Sequence, residues 1–147
     1  MIIVRKANKK DIESLLPFMT QLGYPTNLDM FKERFDSFLN LDGYGIGLAC
    51  LKDQIIGLAA WSKSSIFVID KIRIHIEALV VNEHYRGQGI GKKLIDFIEN
   101  FAKQFSPVVI DLTSGVRRAK DGSHDFYKNL GYQNEGHMAK LYFRKEL

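Results

Sequence analysis

Residues 72 to 105 read as one continuous device: a strand, a loop with three glycines in five positions, and a helix opening straight out of the loop. Ile72, Ile74 and Ile76 alternate with Arg73, His75 and Glu77, so the two sets fall on opposite faces of a strand over Ile72 to Val81. At Ala78-Leu79-Val80-Val81 the alternation gives way to an apolar run, which predicts a bulge or complete burial. Gly87, Gly89 and Gly91 let the backbone approach a ligand and take conformations that a side chain blocks. The helix starting at Ile90 leaves its first amides without partners at the positive end of its dipole, so an anion is favoured there and a diphosphate is the natural occupant.

Spacing narrows the choice. A dinucleotide fingerprint requires GxGxxG, whereas Lys92 stands where the third glycine belongs. A nucleotide P-loop requires GxxxxGK followed by Ser or Thr; Gly87 to Gly91 is too short for it and Lys93 replaces the hydroxyl. Both phosphate motifs fail at defining positions.

The remaining chain supplies strands and helices in alternation. Ile2 to Val4 is a short strand; Asn8 caps a helix carrying Ile12, Leu15, Leu16 and Met19, which Gly23-Tyr24-Pro25 ends. Asn27 caps a second helix with Leu28, Phe31, Phe35, Phe38 and Leu39 on one face, an aromatic stripe suited to the core. Gly45 to Leu51 and Gln54 to Lys63 form a hairpin about Lys52-Asp53. After the glycine loop, a stripe of Ile90, Leu94, Phe97, Ile98, Phe101 and Phe105 marks the third helix, followed by a strand from Val108 to Thr113. A polar loop, Ser114 to Gly122, leads to a short helix around Ser123 to Leu130, and Met138 to Phe143 is expected as a final strand. The class is therefore α/β (α+β) around one mixed sheet, with residues 1–147 as a single domain.

Composition excludes several functions. The formal charge of +4 is spread along the chain in short pairs without an arginine-rich arm, so neither nucleic acid nor a membrane surface is expected as partner. Cys50 is the only cysteine and the four histidines lie far apart in sequence, so no metal is expected. No apolar run approaches a membrane span and no signal segment is evident, which makes the cytoplasm the default location.

Arg86-Gly87-Gln88-Gly89-Ile90-Gly91 resembles the coenzyme A loop of the GNAT family of N-acetyltransferases, [R/Q]-x-x-G-x-[G/A]. It follows Glu77 to Tyr85, which is similar to the family's strand-four ending, and precedes His124 to Tyr132, which resembles its FYxxxGF helix. The resemblance covers the order of elements across the whole chain. It implies a three-layer fold, helices flanking a central, mostly antiparallel mixed sheet, with acetyl-coenzyme A as acetyl donor. Family members often carry Asn and Ala where Lys120 and Ser123 stand here.

The resemblance also implies the site. Leu79, Val80 and Val81 would line the pantetheine arm, the backbone of Leu79 and Val81 pairing with it. The amides from Arg86 through Gly87, Gln88, Gly89, Ile90, Gly91 and Lys92 would hold the diphosphate. Acyl transfer needs a free amine, a stabilised oxyanion and a proton for the leaving thiolate. Glu77 is the candidate base, the Leu79 amide the oxyanion donor and Tyr127 the general acid, with His75 and His124 in reserve. The acceptor, expected near Tyr24, Phe31, Phe35 and Arg117-Arg118, is read as a small-molecule amine, with a protein N-terminus or lysine second. A non-catalytic acyl-coenzyme A sensor is the rival outside catalysis, and a homodimer is compatible with either.

Overall fold

A computed structural model describes residues 1–114 and 122–147. They form two compact units, Met1–Ile110 and Asp111–Leu147, each described on its own below.

The first unit opens with β1 (Ile2–Lys6) and passes through a 3-10 turn, Lys9–Asp11, into α1 (Ile12–Leu22). The turn is a capping box: the Asn8 side chain accepts from Lys10 N, and Asp11 Oδ2 accepts from Asn8 N at 2.7 Å. Asp11 also receives both guanidinium nitrogens of Arg5, at 2.8 and 2.9 Å, tying β1 to the start of α1. The hydrogen bond from Arg5 holds the Asp11 carboxyl below the usual carboxylate range, against the opposing effect of its burial. Asn27 caps α2 (Leu28–Asn40) by accepting from Met30 N at 2.9 Å.

Three strands follow: β2 (Gly45–Leu51), β3 (Gln54–Ser65) and β4 (Ile72–Val81). The strand limits at Ile72 and Val81 are those the alternation predicted. The first three neighbouring pairs are antiparallel, and β5 (Val108–Asp111), reached after α3 (Ile90–Ala102), completes an open mixed sheet in the order β1-β2-β3-β4-β5.

Each sheet face buries a separate set of side chains. Leu15, Phe18, Phe31 and Phe35 from α1 and α2 pack on Ile46, Leu48, Leu58 and Val80. Burial of each such side chain contributes about 1.5–3 kcal/mol. The opposite face receives α3 through Ile90, Leu94, Ile95 and Ile98, with Trp61 fully buried beside the rings of Phe97 and Phe101. Gly57 permits this approach, since a Cβ there would stand 3.2 Å from both Ile90 Cγ2 and Leu94 Cδ1. The expected three-layer arrangement is present, helices on both faces of the sheet.

The second unit contains α4 (Ser123–Asn129), ended by Gly131 in the left-handed region, and a 3-10 turn at Gly136–Met138. The expected strand from Met138 to Phe143 does not form. Its apolar and aromatic residues suit a strand, but a strand also needs a neighbour for its amides; the Lys140 amide instead donates to Asn134 Oδ1 at 3.1 Å.

Candidate active site

The β3–β4 pairing carries the local irregularity on which the site depends. Ala60 opposes Ala78, and Trp61 opposes Ile76, so Glu77 is the extra residue of a β-bulge. The bulge therefore begins one residue before the apolar run. Burial along that run is incomplete: Val80 is buried, but Ala78, Leu79 and Val81 are half-buried.

The extra residue changes the strand's facing. Ala60 packs against the core beneath α1 and α2, and Ala78 opposite it follows. Glu77 lies exposed between Ala78 and buried Ile76. Its Oε2 accepts from Ser62 Oγ at 3.1 Å and lies 3.6 Å from His75 Nε2. Ser62 and His75 are cross-strand partners in the same register. Nothing in the sequence marked Ser62, whose role depends on that register.

The end of β4 is anchored from α1. Gln21 Nε2 donates to the Val81 carbonyl at 2.7 Å, a second contact without a sequence signal. A carbonyl has two lone pairs, so Val81 keeps one acceptor site. Asn82 then caps a 3-10 turn, Glu83–Tyr85, and Arg86 leads into the loop.

Gly87 and Gly89 both take left-handed φ, 77° and 76°. Gly89 is the N-cap residue of α3, and among the described residues no side-chain hydrogen bond caps this end. The amides of Ile90, Gly91 and Lys92 thus begin the helix without intrahelical acceptors. A Cβ built at Gly87 or Gly89 meets nothing within 4 Å, so the loop's inner surface faces open space. Arg86 and Gln88 extend their side chains into solvent. The ammonium of Lys92 donates to Asp96 at 2.8 Å, which raises its proton affinity. What Lys92 presents toward the loop is its amide.

Tyr127 lies on α4 in the second unit, its ring edge-on to both Phe126 and Tyr132. The helix turns closed beside it, with Leu130 N and Tyr132 N both donating to the Tyr127 carbonyl. His124 is on the same short helix. Of the residues expected around an acceptor, Tyr24 is exposed, but Phe31 and Phe35 are core, 8% and 1% exposed. Their helical spacing delivered them to the sheet, leaving neither ring to face a substrate. Arg117, Arg118 and Lys120 lie outside the described residues. Among the described residues, no group of three or more His, Cys, Asp or Glu is placed to hold a metal ion.

Residues 12–132 match the family model described as the acetyltransferase (GNAT) family. An uncharacterised N-acetyltransferase of Methanocaldococcus jannaschii is 24% identical over 139 residues, covering 90% of this chain and 61% of that protein. The chain spans smaller shares, 29% and 45%, of two further curated relatives. The crystal structure of a GNAT family acetyltransferase from Staphylococcus aureus superimposes with a TM-score of 0.80 at 29% identity, covering 99% of this chain and 98% of the other. An aminoglycoside N-acetyltransferase solved in complex with CoA gives a TM-score of 0.83 at 18% identity, over 100% and 96% of the two chains, and is a likeness of fold.

Proposed function

The chain belongs to the acetyltransferase (GNAT) family, and from that premise we propose that it transfers the acetyl group of acetyl-coenzyme A to the amine of a small molecule. The amine attacks the thioester directly. Residues 1–147 act as one N-acetyltransferase domain in this reading, and the cytoplasm is its place of action.

The observation that carries the proposal is the loop from Arg86 to Gly91, turned left-handed at two glycines into an uncapped helix N-terminus at the end of β4. A diphosphate in that open space would receive backbone hydrogen bonds from Gly87 through Lys92, reinforced by the helix dipole. No Cβ intrudes there. The pantetheine arm would follow the β4 ending, where Leu79 and Val81 offer backbone groups and Val80 contributes to a dry wall. One Val81 lone pair stays available beside its bond from Gln21.

Glu77, displaced by the bulge two residues before Leu79, takes the proton that keeps the acceptor amine in its ammonium form. An amine with pKa near 9 or 10 is only about 1% or less free base near pH 7, so a positioned base has leverage. The Leu79 amide stabilises the tetrahedral oxyanion, and Tyr127 gives its phenolic proton to the departing thiolate. Aminoglycoside acetyltransferases among the fold's likenesses support an amine acceptor. The test is thiol release from acetyl-coenzyme A in the presence of amino sugars, polyamines, amino acids and lysine peptides. Release stimulated by small amines more than by peptides is expected; no stimulation by any amine, with coenzyme A bound, would leave the sensor reading in its place.

A further inference from the structure

Ser62, His75 and Glu77 meet at a single atom. Ser62 Oγ donates to Glu77 Oε2 at 3.1 Å, and His75 Nε2 stands 3.6 Å from that same oxygen, within ion-pair range and beyond hydrogen-bond length. Among the described residues, no side chain engages the other oxygen, Oε1. The cause is topological. Register sets Ser62 opposite His75, and the bulge leaves Glu77 without a cross-strand partner next to them, so among the described residues one carboxylate oxygen is held by protein and the other is not.

We propose that Ser62 and His75 are positioning residues for Glu77, and that His75 also passes the captured proton to solvent; this rests on the reading of Glu77 as base. The acceptor ammonium gives one proton to Oε1, making a carboxylic acid and a free amine. The acid yields its proton through one bridging water to the imidazole at Nε2, restoring the carboxylate, and the imidazolium releases a proton to solvent through its 31% exposed side chain. The amine nitrogen then forms its bond to the thioester carbonyl and the carbon–sulfur bond breaks. The second N–H proton replaces the one that Tyr127 supplies to the thiolate. One proton per turnover reaches solvent and one ends on the thiol.

Charged residues on this part of the sheet include Arg73 on β4 and Asp111 on the neighbouring strand β5. Arg73 lies on the same strand face as His75, two positions earlier, while β3 contributes neutral Ser62 and Ser64 to that face. Lys63 alternates to the opposite face, where it lies over the Phe105 ring and pairs with Asp42.

The proposal is tested first without any acceptor, by NMR titration of the imidazole nitrogens, with His75 assigned through its absence in His75→Gln. The Glu77 carboxylate favours the imidazolium, so the His75 titration is expected to move to lower pH in Glu77→Gln; no change would overturn the pairing. Kinetics then read the proton path, using acetyl-coenzyme A and the fastest amine of the panel. His75→Gln is expected to lower kcat about 10-fold and move the acidic limb of its pH profile, leaving KM for acetyl-coenzyme A unchanged. Ser62→Ala is expected to cost about 3–10-fold, and Ser62→Thr, which keeps the donor, to restore most of it. Unchanged kcat and pH profile in folded His75→Gln and Ser62→Ala would overturn the relay. Absence of amine-dependent release in the wild type would remove the relay along with the acetyltransferase reading, and a surviving titration shift would then mark a structural ion pair only.

Discussion

Replacing Gly89 by alanine separates what the loop owes to its own fold from what it owes to a ligand. Gly89 sits at φ 76° and a Cβ there has nothing within 4 Å, so the stability cost is conformational, not steric. A left-handed alanine costs about 1–2 kcal/mol. Restricting the unfolded chain returns about 0.4–1 kcal/mol. The net loss is therefore about 0.5–1.5 kcal/mol, and at about 2–4 °C per kcal/mol for a chain near this size the melting point should drop by a few degrees. Trp61, the single tryptophan and fully buried, reports the transition through its fluorescence. Coenzyme A affinity should respond far more, because the methyl group would enter the space where a phosphate oxygen must reach the Gly89 and Ile90 amides. Calorimetric titration is expected to show at least a 10-fold weaker Kd, a loss of about 1.4 kcal/mol. Gly45→Ala is the contrasting case: its Cβ would lie 2.2 Å from Trp61 Cζ2, so stability must suffer first. Undiminished coenzyme A binding in folded Gly89→Ala would refute the loop as the diphosphate site, and a melting point lowered by more than about 10 °C would refute the accounting of its strain.

Glu77→Gln should keep a near wild-type melting temperature, since Glu77 is exposed, while losing the acidic limb of kcat/KM and recovering part of the rate at high pH. An unchanged pH profile would move the proton elsewhere. Tyr127→Phe keeps the ring and removes the donor, so kcat should fall by about 10²–10³ with coenzyme A affinity preserved; equal kcat at saturating substrate would reject its role. Asp11→Ala removes a carboxylate that Arg5 and the Asn8 amide hold, and urea denaturation at pH 7 should show a loss of about 1–3 kcal/mol, less than for a fully buried pair because Arg5 is 40% exposed. Because the folded Asp11 pKa is depressed, its stabilisation is present above the unfolded value near 3.8 and disappears as pH falls through the folded one. The gap between wild type and variant should thus close in strongly acidic solution, and a gap independent of pH would show that the ion pair is not its source.

Periodicity carried the fold to different depths in different elements. The β4 limits were legible because isoleucine alternation has a sharp start and the glycine loop a sharp end. The caps at Asn8 and Asn27 were legible because short polar side chains there satisfy amides that a helix start leaves bare. The buried stripe of α3 was read too narrowly: Ile95 and Ala102 are also core, since a helix lying on a sheet buries a wider arc than a strict stripe. β3 runs on to Ser65 although Ser62, Ser64 and Ser65 are weak strand formers, because β4 opposite supplies their ladder partners. Residues 138–143 show the converse, strand-favouring residues with no strand partner among the described residues.

The candidate site divides along the same physical line. The glycine loop proposed to hold the diphosphate is local chemistry, in which glycine spacing, a strand before it and a helix after it all lie within one stretch of chain. Glu77 was legible as a polar residue on a strand, and the failing alternation at Ala78 signalled a bulge, but not that Glu77 is its extra residue, because a bulge is a mismatch between two strands and sequence alternation describes only one. That mismatch sets Ser62 against Glu77 across 15 positions of sequence, and among the described residues one carboxylate oxygen is held and the other has no side-chain partner. It also restarts the parity of β4, so that Ala78 turns to the α1/α2 face and the Leu79–Val81 backbone continues toward the loop in a different phase. A single inserted residue thus performs two tasks that uniform pairing could not combine: it presents a carboxylate outside the core and resets the strand that leads to the glycine loop. Deleting Ala78 would restore regular pairing and leave the flanking residues opposite their present β3 partners, but it would set Glu77 opposite Ala60, whose side chain packs against the α1/α2 core, and so remove the carboxylate from its exposed position. The irregularity therefore lets β4 keep one register with β3 while it presents Glu77 outside the core.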